Sequence, residues 1–318
     1  MERGEDEEVT FEFMEAIRVY KSGRIERLLG NDIVPASIES PSGVSSKDIT
    51  ISPDVSARLF LPNIIEPAKK VAVLVYFHGG GFFFETPFSP LYHNYVSSLA
   101  SAANVVAVSI HYRRAPEHPL PAAYDDCWAA FQWVVSHADG GGSEPWLANH
   151  GDFKRIVIAG DSAGGNITHQ TALRAGEEGA LKTGTKLEGA MIVNPYFWGS
   201  EGPPNVEPEM SAKMDKFWKF VCPGTTGIDD PRSNPLATGS PALTGLGCGR
   251  VLVCLAEKDF LREWGLFYYQ GLASSGYEGT VEILEMKGEE HVFHLFKPEC
   301  ENAKELMKRM VDFINQGN

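Results

Sequence analysis

One stretch constrains this chain more than any other. An apolar, β-branched run, Ile156-Val157-Ile158-Ala159, ends in Gly160-Asp161-Ser162-Ala163-Gly164. In a G-x-S-x-G pattern the chain turns so sharply from strand into helix that the serine backbone is strained, and only small residues two positions either side avoid collision. Such a turn lifts the serine oxygen clear of a sheet, where a carbonyl carbon can approach it. Asn166 to Arg174 can run on as a helix, whose N-terminus would present free N–H groups and the positive end of its dipole to the same place. Taken alone the pattern also fits an ordinary glycine-rich turn, so the rest of the chain has to decide.

The rhythm of the chain supplies a sheet for such a turn. Val71 to Phe77 is an unbroken apolar run, as a strand covered on both faces requires. Further strands are predicted at Val105–Ile110, Gly189–Val193, Arg250–Ala256 and Thr280–Met286. Helices are predicted at about Tyr92–Ala103, Ala122–His137, Trp264–Ser274 and Glu299–Ile314. This alternation implies an α/β fold, a mostly parallel sheet with helices on both faces. Upstream, Asp48–Ile51 and Val55–Leu61 alternate about Ser52-Pro53-Asp54, which predicts an antiparallel hairpin. Val9 to Tyr20 carries Phe11, Phe13, Met14 and Ile17 and is read as a helix, after a disordered acidic stretch at 1–8. Tyr196 to about Asp230 breaks the rhythm with prolines, polar residues and an aromatic patch, and is read as an insertion over the sheet's carboxyl edge.

A serine hydroxyl needs a base to take its proton, and the base needs a group to orient it. The elbow motif predicts the chain order serine, acid, histidine. Asp259 follows the strand ending at Ala256, and His291 follows the strand ending at Met286. Asp259 is preferred over Glu257, Asp229 and Asp230 by position. His291 is preferred over His294 because it comes first after the strand. Negative charge building on a carbonyl oxygen needs aimed N–H donors, each worth about 3–4 kcal/mol. His78-Gly79-Gly80-Gly81 follows an early strand, and its glycines let the backbone approach closely. Gly79, Gly80 and Gly81 together with the amide of Ala163 are the predicted oxyanion hole, Gly79 chiefly as the residue that shapes the loop. His78 is read as a brace. Phe82, Tyr196, Phe197, Trp198, Phe217, Trp218 and Val292 are candidate pocket residues, cap core being the alternative for Tyr196, Phe197, Trp198, Phe217 and Trp218.

Composition removes other classes. The net charge is −14 and the pI about 5.1, which disfavours nucleic acid and anionic membranes as partners. The five scattered cysteines include no C-x-x-C pair, so neither a disulfide framework nor a zinc site is indicated, and free thiols point to a cytoplasmic, reducing location. No run of 18 apolar residues occurs and the acidic N-terminus resembles neither a signal nor a transit peptide. Asn166-Ile167-Thr168 matches a glycosylation sequon but falls inside the predicted elbow helix, so it is read as chance. No cofactor or metal is called for, and a monomer or weak dimer is expected.

His78-Gly79-Gly80-Gly81, Tyr112-Arg113-Arg114-Ala115-Pro116-Glu117-His118, Gly160-Asp161-Ser162-Ala163-Gly164-Gly165-Asn166 and Glu290-His291-Val292-Phe293 together resemble the hormone-sensitive-lipase branch of the α/β-hydrolases, in particular plant carboxylesterases. The likeness runs from about Ile17 to the C-terminal helix. It implies a single domain over 1–318, an eight-stranded sheet, and a helical cap from about 1–40 and 196–230. It also implies Asp259 and His291 as triad members, since Lys258-Asp259-Phe260-Leu261 matches the family's acid segment. The implied activity is hydrolysis of small organic esters. Similar families include 2-hydroxyisoflavanone dehydratases and alkaloid cyclases, so elimination or cyclisation of a specialised metabolite is the alternative. Legume dehydratases carry threonine at the nucleophile position, where this chain has Ser162. Gibberellin receptors replace the catalytic histidine, which this chain keeps at His291, so a receptor reading is disfavoured.

Overall fold

The computed structural model describes residues 8–37, 43–63, 70–177, 184–200, 202–203 and 207–316. The disorder expected at 1–8 falls on residues 1–7, outside the described ones; Glu8 itself accepts a backbone hydrogen bond from Lys21. The strands are β1 (Val9–Phe13), β2 (Ile17–Tyr20), β3 (Ile25–Arg27), β4 (Val44–Ser52), β5 (Val55–Pro62), β6 (Val71–Phe77), β7 (Val106–His111), β8 (Gly151–Asp161), β9 (Leu187–Val193), β10 (Arg250–Ala256) and β11 (Thr280–Met286). The α-helices are α1 (Pro90–Ala103), α2 (Ala122–Val135), α3 (Pro145–His150), α4 (Ala163–Glu177), α5 (Pro208–Val221), α6 (Arg262–Ser274), α7 (Phe293–Phe296) and α8 (Glu301–Asn315).

Eight strands pair in the order β11-β10-β9-β8-β6-β7-β5-β4. β6 to β11 are mutually parallel, β5 is antiparallel to β7 and to β4, and so only β5 runs against the rest. The pleat divides each central strand between two cores. Val73, Val75 and Phe77 of β6 join Cys127 and Phe131 of α2, Ile167 of α4 and Trp264 of α6. Ala72, Leu74 and Tyr76 join Val96 and Leu99 of α1 and Leu306 and Met310 of α8. Each large apolar side chain fully removed from water contributes roughly 1.5–3 kcal/mol, so two such layers fix the register of the whole sheet. From β6 the chain crosses by α1 to β7, then returns by α2 to β8 on the opposite side of β6. The crevice beyond the carboxyl ends of β6 and β8 is therefore the switch point where open α/β sheets bind ligands.

The N-terminal segment is not a helix. β1, β2 and β3 form a separate antiparallel sheet. Phe11 and Phe13 are two apart and share a strand face, stacking on Phe220 at 3.7 Å and Phe217 at 4.8 Å between ring centroids. Met14 and Glu15, both at positive φ, reverse the chain between β1 and β2. Aromatic and β-branched residues favour this extended, half-buried surface, and the contact with α5 overrides the weak helical spacing. Among the described residues, the segments expected to form a helical cap thus hold a small sheet and one helix, α5. α5 buries Met214, Phe217, Trp218 and Val221, an i, i+3, i+4, i+7 stripe.

Candidate active site

β8 delivers Ser162 to the carboxyl edge of the sheet with φ +53°. The reason for small neighbours is geometric. A Cβ on Gly160 would lie 2.3 Å from the Gly164 carbonyl oxygen, and one on Gly164 would lie 1.9 Å from that of Phe77. The Ser162 N–H donates to Val193 O at 2.9 Å, and its carbonyl accepts from Tyr196 N at 2.9 Å, so the elbow is tied to the end of β9. Asn166, one turn into α4, is fully buried and donates to the carbonyls of Tyr196 and Arg232. Its sequon is therefore inaccessible, as chance occurrence implies.

The loops after β10 and β11 bring Asp259 and His291 to this serine. His291 Nε2 lies 2.9 Å from Ser162 Oγ, and His291 Nδ1 lies 2.8 Å from Asp259 Oδ2. The Asp259 side chain is 1% exposed, and its Oδ1 accepts the Leu261 N–H at 2.9 Å. With Nδ1–H donated to a carboxylate, Nε2 is left as the acceptor facing the hydroxyl, the tautomer a general base requires. The competing residues lie elsewhere. His294 turns into the core against Tyr95, and burial lowers its pKa to about 3. Glu257 is held by the Gly288 N–H and Lys287, Asp229 by Ser200, and Asp230 by Arg232.

The loop after β6 wraps toward the same point. Gly80 has φ +95° and Gly81 φ +57°, and a Cβ on Gly80 would lie 2.2 Å from Phe84 O. The N–H groups of Gly80, Gly81 and Ala163 have no acceptor among the described residues. Gly79 differs from the oxyanion-hole expectation: its N–H donates to Tyr92 Oη at 2.8 Å and is not free for a ligand. It shapes the loop instead. His78 is buried, stacks on Tyr112 at 4.2 Å, and donates from Nδ1 to Gly79 O, a bracing role. The Tyr112–His118 segment backs this loop: Ala115 N–H donates to Phe82 O, and Arg114 donates to Glu85 O. Beside the serine, Asp161 is fully buried, and its carboxylate accepts from Tyr76 and Tyr92 hydroxyls at 2.8 and 2.7 Å. Burial pushes its pKa up to about 6, against the opposing pull of those two hydrogen bonds.

Ser162, His291, Gly80 and Gly81 open into a cleft with a cavity volume of about 120 Å³. Of the candidate pocket residues, Tyr196, Phe217 and Val292 line it. Four do not. Phe82 packs under Tyr196 and Trp218, Phe197 stacks on Tyr268 at 4.5 Å, Trp198 lies against Trp264 at 5.6 Å, and Trp218 donates its indole N–H to Thr225. They are core because each packs against other buried rings, and the sequence patch does not say which aromatic faces the cleft. The wall instead recruits Phe13 and Met14 from the β1–β2 hairpin, Phe83 and Phe84 after the glycine loop, Met214 from α5, and Phe260 after Asp259. Adjacency to the glycine and acid motifs is the signal that singles out Phe83, Phe84 and Phe260. Among the described residues eight non-glycines have positive φ, and four of them, Met14, Glu85, Ser162 and Val292, line this cleft. Backbone strain concentrates where geometry is functional. No group of three or more metal-ligating side chains occurs among the described residues.

Comparison with known proteins adds to this geometry. A family model described as alpha/beta hydrolase fold matches residues 74–295. Tuliposide A-converting enzyme 1, chloroplastic, of Tulipa gesneriana is 48% identical over 97% of this chain and 79% of that protein. The 2-hydroxyisoflavanone dehydratase of Glycyrrhiza echinata is 47% identical over 96% of each chain. Among solved structures, a thermostable esterase from Pseudomonas putida is 26% identical and superposes with a TM-score of 0.71 over 87% of this chain and 85% of that one.

Proposed function

Since the chain belongs to the α/β-hydrolase fold family, we propose that it is a serine carboxylesterase acting on esters of small organic molecules. The observation that carries this reading is the continuous line Ser162 Oγ, His291 Nε2, His291 Nδ1, Asp259 Oδ2, with contacts of 2.9 and 2.8 Å, facing unpaired N–H groups across a cleft. In the proposed reaction Ser162 Oγ attacks the ester carbonyl carbon as His291 Nε2 takes its proton. The oxyanion is held by the N–H groups of Gly80, Gly81 and Ala163. Asp259 stabilises the imidazolium that forms. His291 returns the proton to the leaving alkoxide, and the alcohol departs. Water, deprotonated by the same nitrogen, then attacks the acyl-enzyme, and the acid leaves with Ser162 restored.

The cleft wall is almost wholly apolar and aromatic around these groups, which supports an uncharged organic substrate. The tulip and liquorice relatives are named for specialised metabolites, which supports a substrate of that broad kind. A second reading, dehydration or cyclisation at the same site, is favoured by the 47% identity to a dehydratase. In it His291 would abstract a carbon-bound proton while the loop N–H groups hold the enolate, which would then expel the β-hydroxyl as water with the proton returned by His291. Cytoplasmic location is proposed from the five free thiols, with the chloroplast of the tulip relative as the rival. Among the described residues no helix is long and apolar enough to cross a membrane.

The test is turnover of 4-nitrophenyl butyrate. The esterase reading expects steady hydrolysis that Ser162→Ala removes while thermal unfolding is unchanged. Hydrolysis undiminished in that variant would overturn it. Feeble hydrolysis beside rapid water loss from a β-hydroxyketone would favour the second reading.

A further inference from the structure

Asp161 takes no part in the steps above, yet it is fully buried next to the nucleophile. Its surroundings have a fixed hydrogen-bond polarity. A tyrosine hydroxyl carries one proton. Tyr92 donates it to Asp161 Oδ2 at 2.7 Å, so toward the Gly79 N–H, 2.8 Å away, its oxygen acts only as acceptor. Proton donation thus runs one way, from Gly79 through Tyr92 to the carboxylate. Gly79 is also pinned from its other side, because its carbonyl accepts from His78 Nδ1 at 2.8 Å. In a trans peptide the carbonyl of one residue and the N–H of the next point in opposite directions. The Gly79 carbonyl faces His78 and Tyr112, so the Gly80 N–H must face away from them, with the cleft on that side. There is no slack in the arrangement: a Cβ on Gly79 would lie 2.6 Å from Asp161 Oδ2 and 2.7 Å from Tyr92 Oη.

We propose that Asp161 is a positioning residue that, through Tyr92, anchors the His78–Gly79 peptide and so fixes Gly79, whose carbonyl His78 holds in turn, leaving the Gly80 N–H aimed at the oxyanion. This rests on the esterase reading. Tyr76 supplies an internal control. Its hydroxyl donates to the other carboxylate oxygen at 2.8 Å, it is equally buried, and it has no hydrogen bond to the glycine loop. If the two tyrosines served only to satisfy a buried charge, losing either hydroxyl would have the same effect.

The experiment compares Tyr92→Phe with Tyr76→Phe on 4-nitrophenyl butyrate. Removing one oxyanion donor outright costs about 10²–10³ in kcat, so a misaimed one is expected to cost roughly ten- to a hundredfold. Tyr92→Phe should lose that factor in kcat with KM within about twofold, and its inhibition constant for a trifluoromethyl ketone should rise by the factor lost in kcat/KM. Tyr76→Phe should lose no more than about threefold. Equal losses in the two variants, or a loss at Tyr92 that lies in KM, would overturn the proposal. Should Tyr92→Phe fail to fold, 3-fluorotyrosine installed at 92 keeps the ring but makes its oxygen a weaker acceptor for Gly79. A fall of about two- to threefold in kcat from 92, with none from the same replacement at 76, is then expected; no difference between them would overturn it. Wild-type enzyme without Ser162-dependent hydrolysis would instead refute the esterase reading, whatever the tyrosines do.

Discussion

Replacing Asp259 by Asn probes the site most sharply, because the structure dictates which way the amide must face. Asp259 Oδ1 accepts the Leu261 N–H at 2.9 Å, and its side chain is 1% exposed. An NH2 group turned toward Leu261 would set donor against donor in a buried place, costing about 1–3 kcal/mol. The variant therefore keeps its oxygen on Leu261 and presents NH2 to His291 Nδ1. That nitrogen must then accept, which puts the ring proton on Nε2, facing Ser162. The histidine can no longer take the serine proton. A wrong tautomer of this kind is worth roughly 10⁴ in kcat, or about 5 kcal/mol of transition-state stabilisation. The assay is kcat for 4-nitrophenyl butyrate at neutral pH, with thermal unfolding as the check on folding, since Asn preserves the shape of Asp. Retention of more than a tenth of the wild-type kcat by a folded Asn variant would refute the reasoning.

Two further outcomes follow from the core and the cleft. His169 and His294 are buried as neutral rings, each with its pKa lowered to about 3 by desolvation. Unfolding returns them to about 6.5, so the unfolded chain binds more protons between these values and stability falls as pH drops below 6.5. From pH 7 to 5 each contributes a loss of about 2 kcal/mol, and His294→Leu should remove one such share from the difference between urea unfolding at the two pH values; an unchanged difference would contradict the burial argument. Phe217→Ala should widen the cleft and shift the kcat/KM optimum of a nitrophenyl ester series toward longer acyl chains, whereas an unchanged profile would mean that Phe217 does not bound the substrate.

The parts that were legible in the sequence are those that obey local rules. The elbow glycines follow from contacts of 1.9–2.3 Å that a side chain could not survive, and the strand-end positions of Asp259 and His291 follow from a parallel sheet that collects its loops on one edge. The N-terminal segment is not legible locally, because Phe11 and Phe13 take their conformation from α5, some 200 residues away in sequence. The aromatic patch misled for a related reason. Tyr196 lines the cleft while its neighbours Phe197 and Trp198 turn into the core, a choice made by the ties between Ser162, Tyr196 and Ser233. The Tyr92–Gly79 bond joins residues with no shared motif, and only the fold reveals it.

The most direct test of the account is intact-mass spectrometry of the protein after exposure to an organophosphate. With Ser162 as the nucleophile, a single phosphoryl adduct is expected on the wild type, mapped to Ser162, absent from Ser162→Ala, and formed in step with the loss of ester turnover. A wild type that stays unlabelled, or one labelled elsewhere while turnover is lost, would contradict the assignment of Ser162 as the nucleophile.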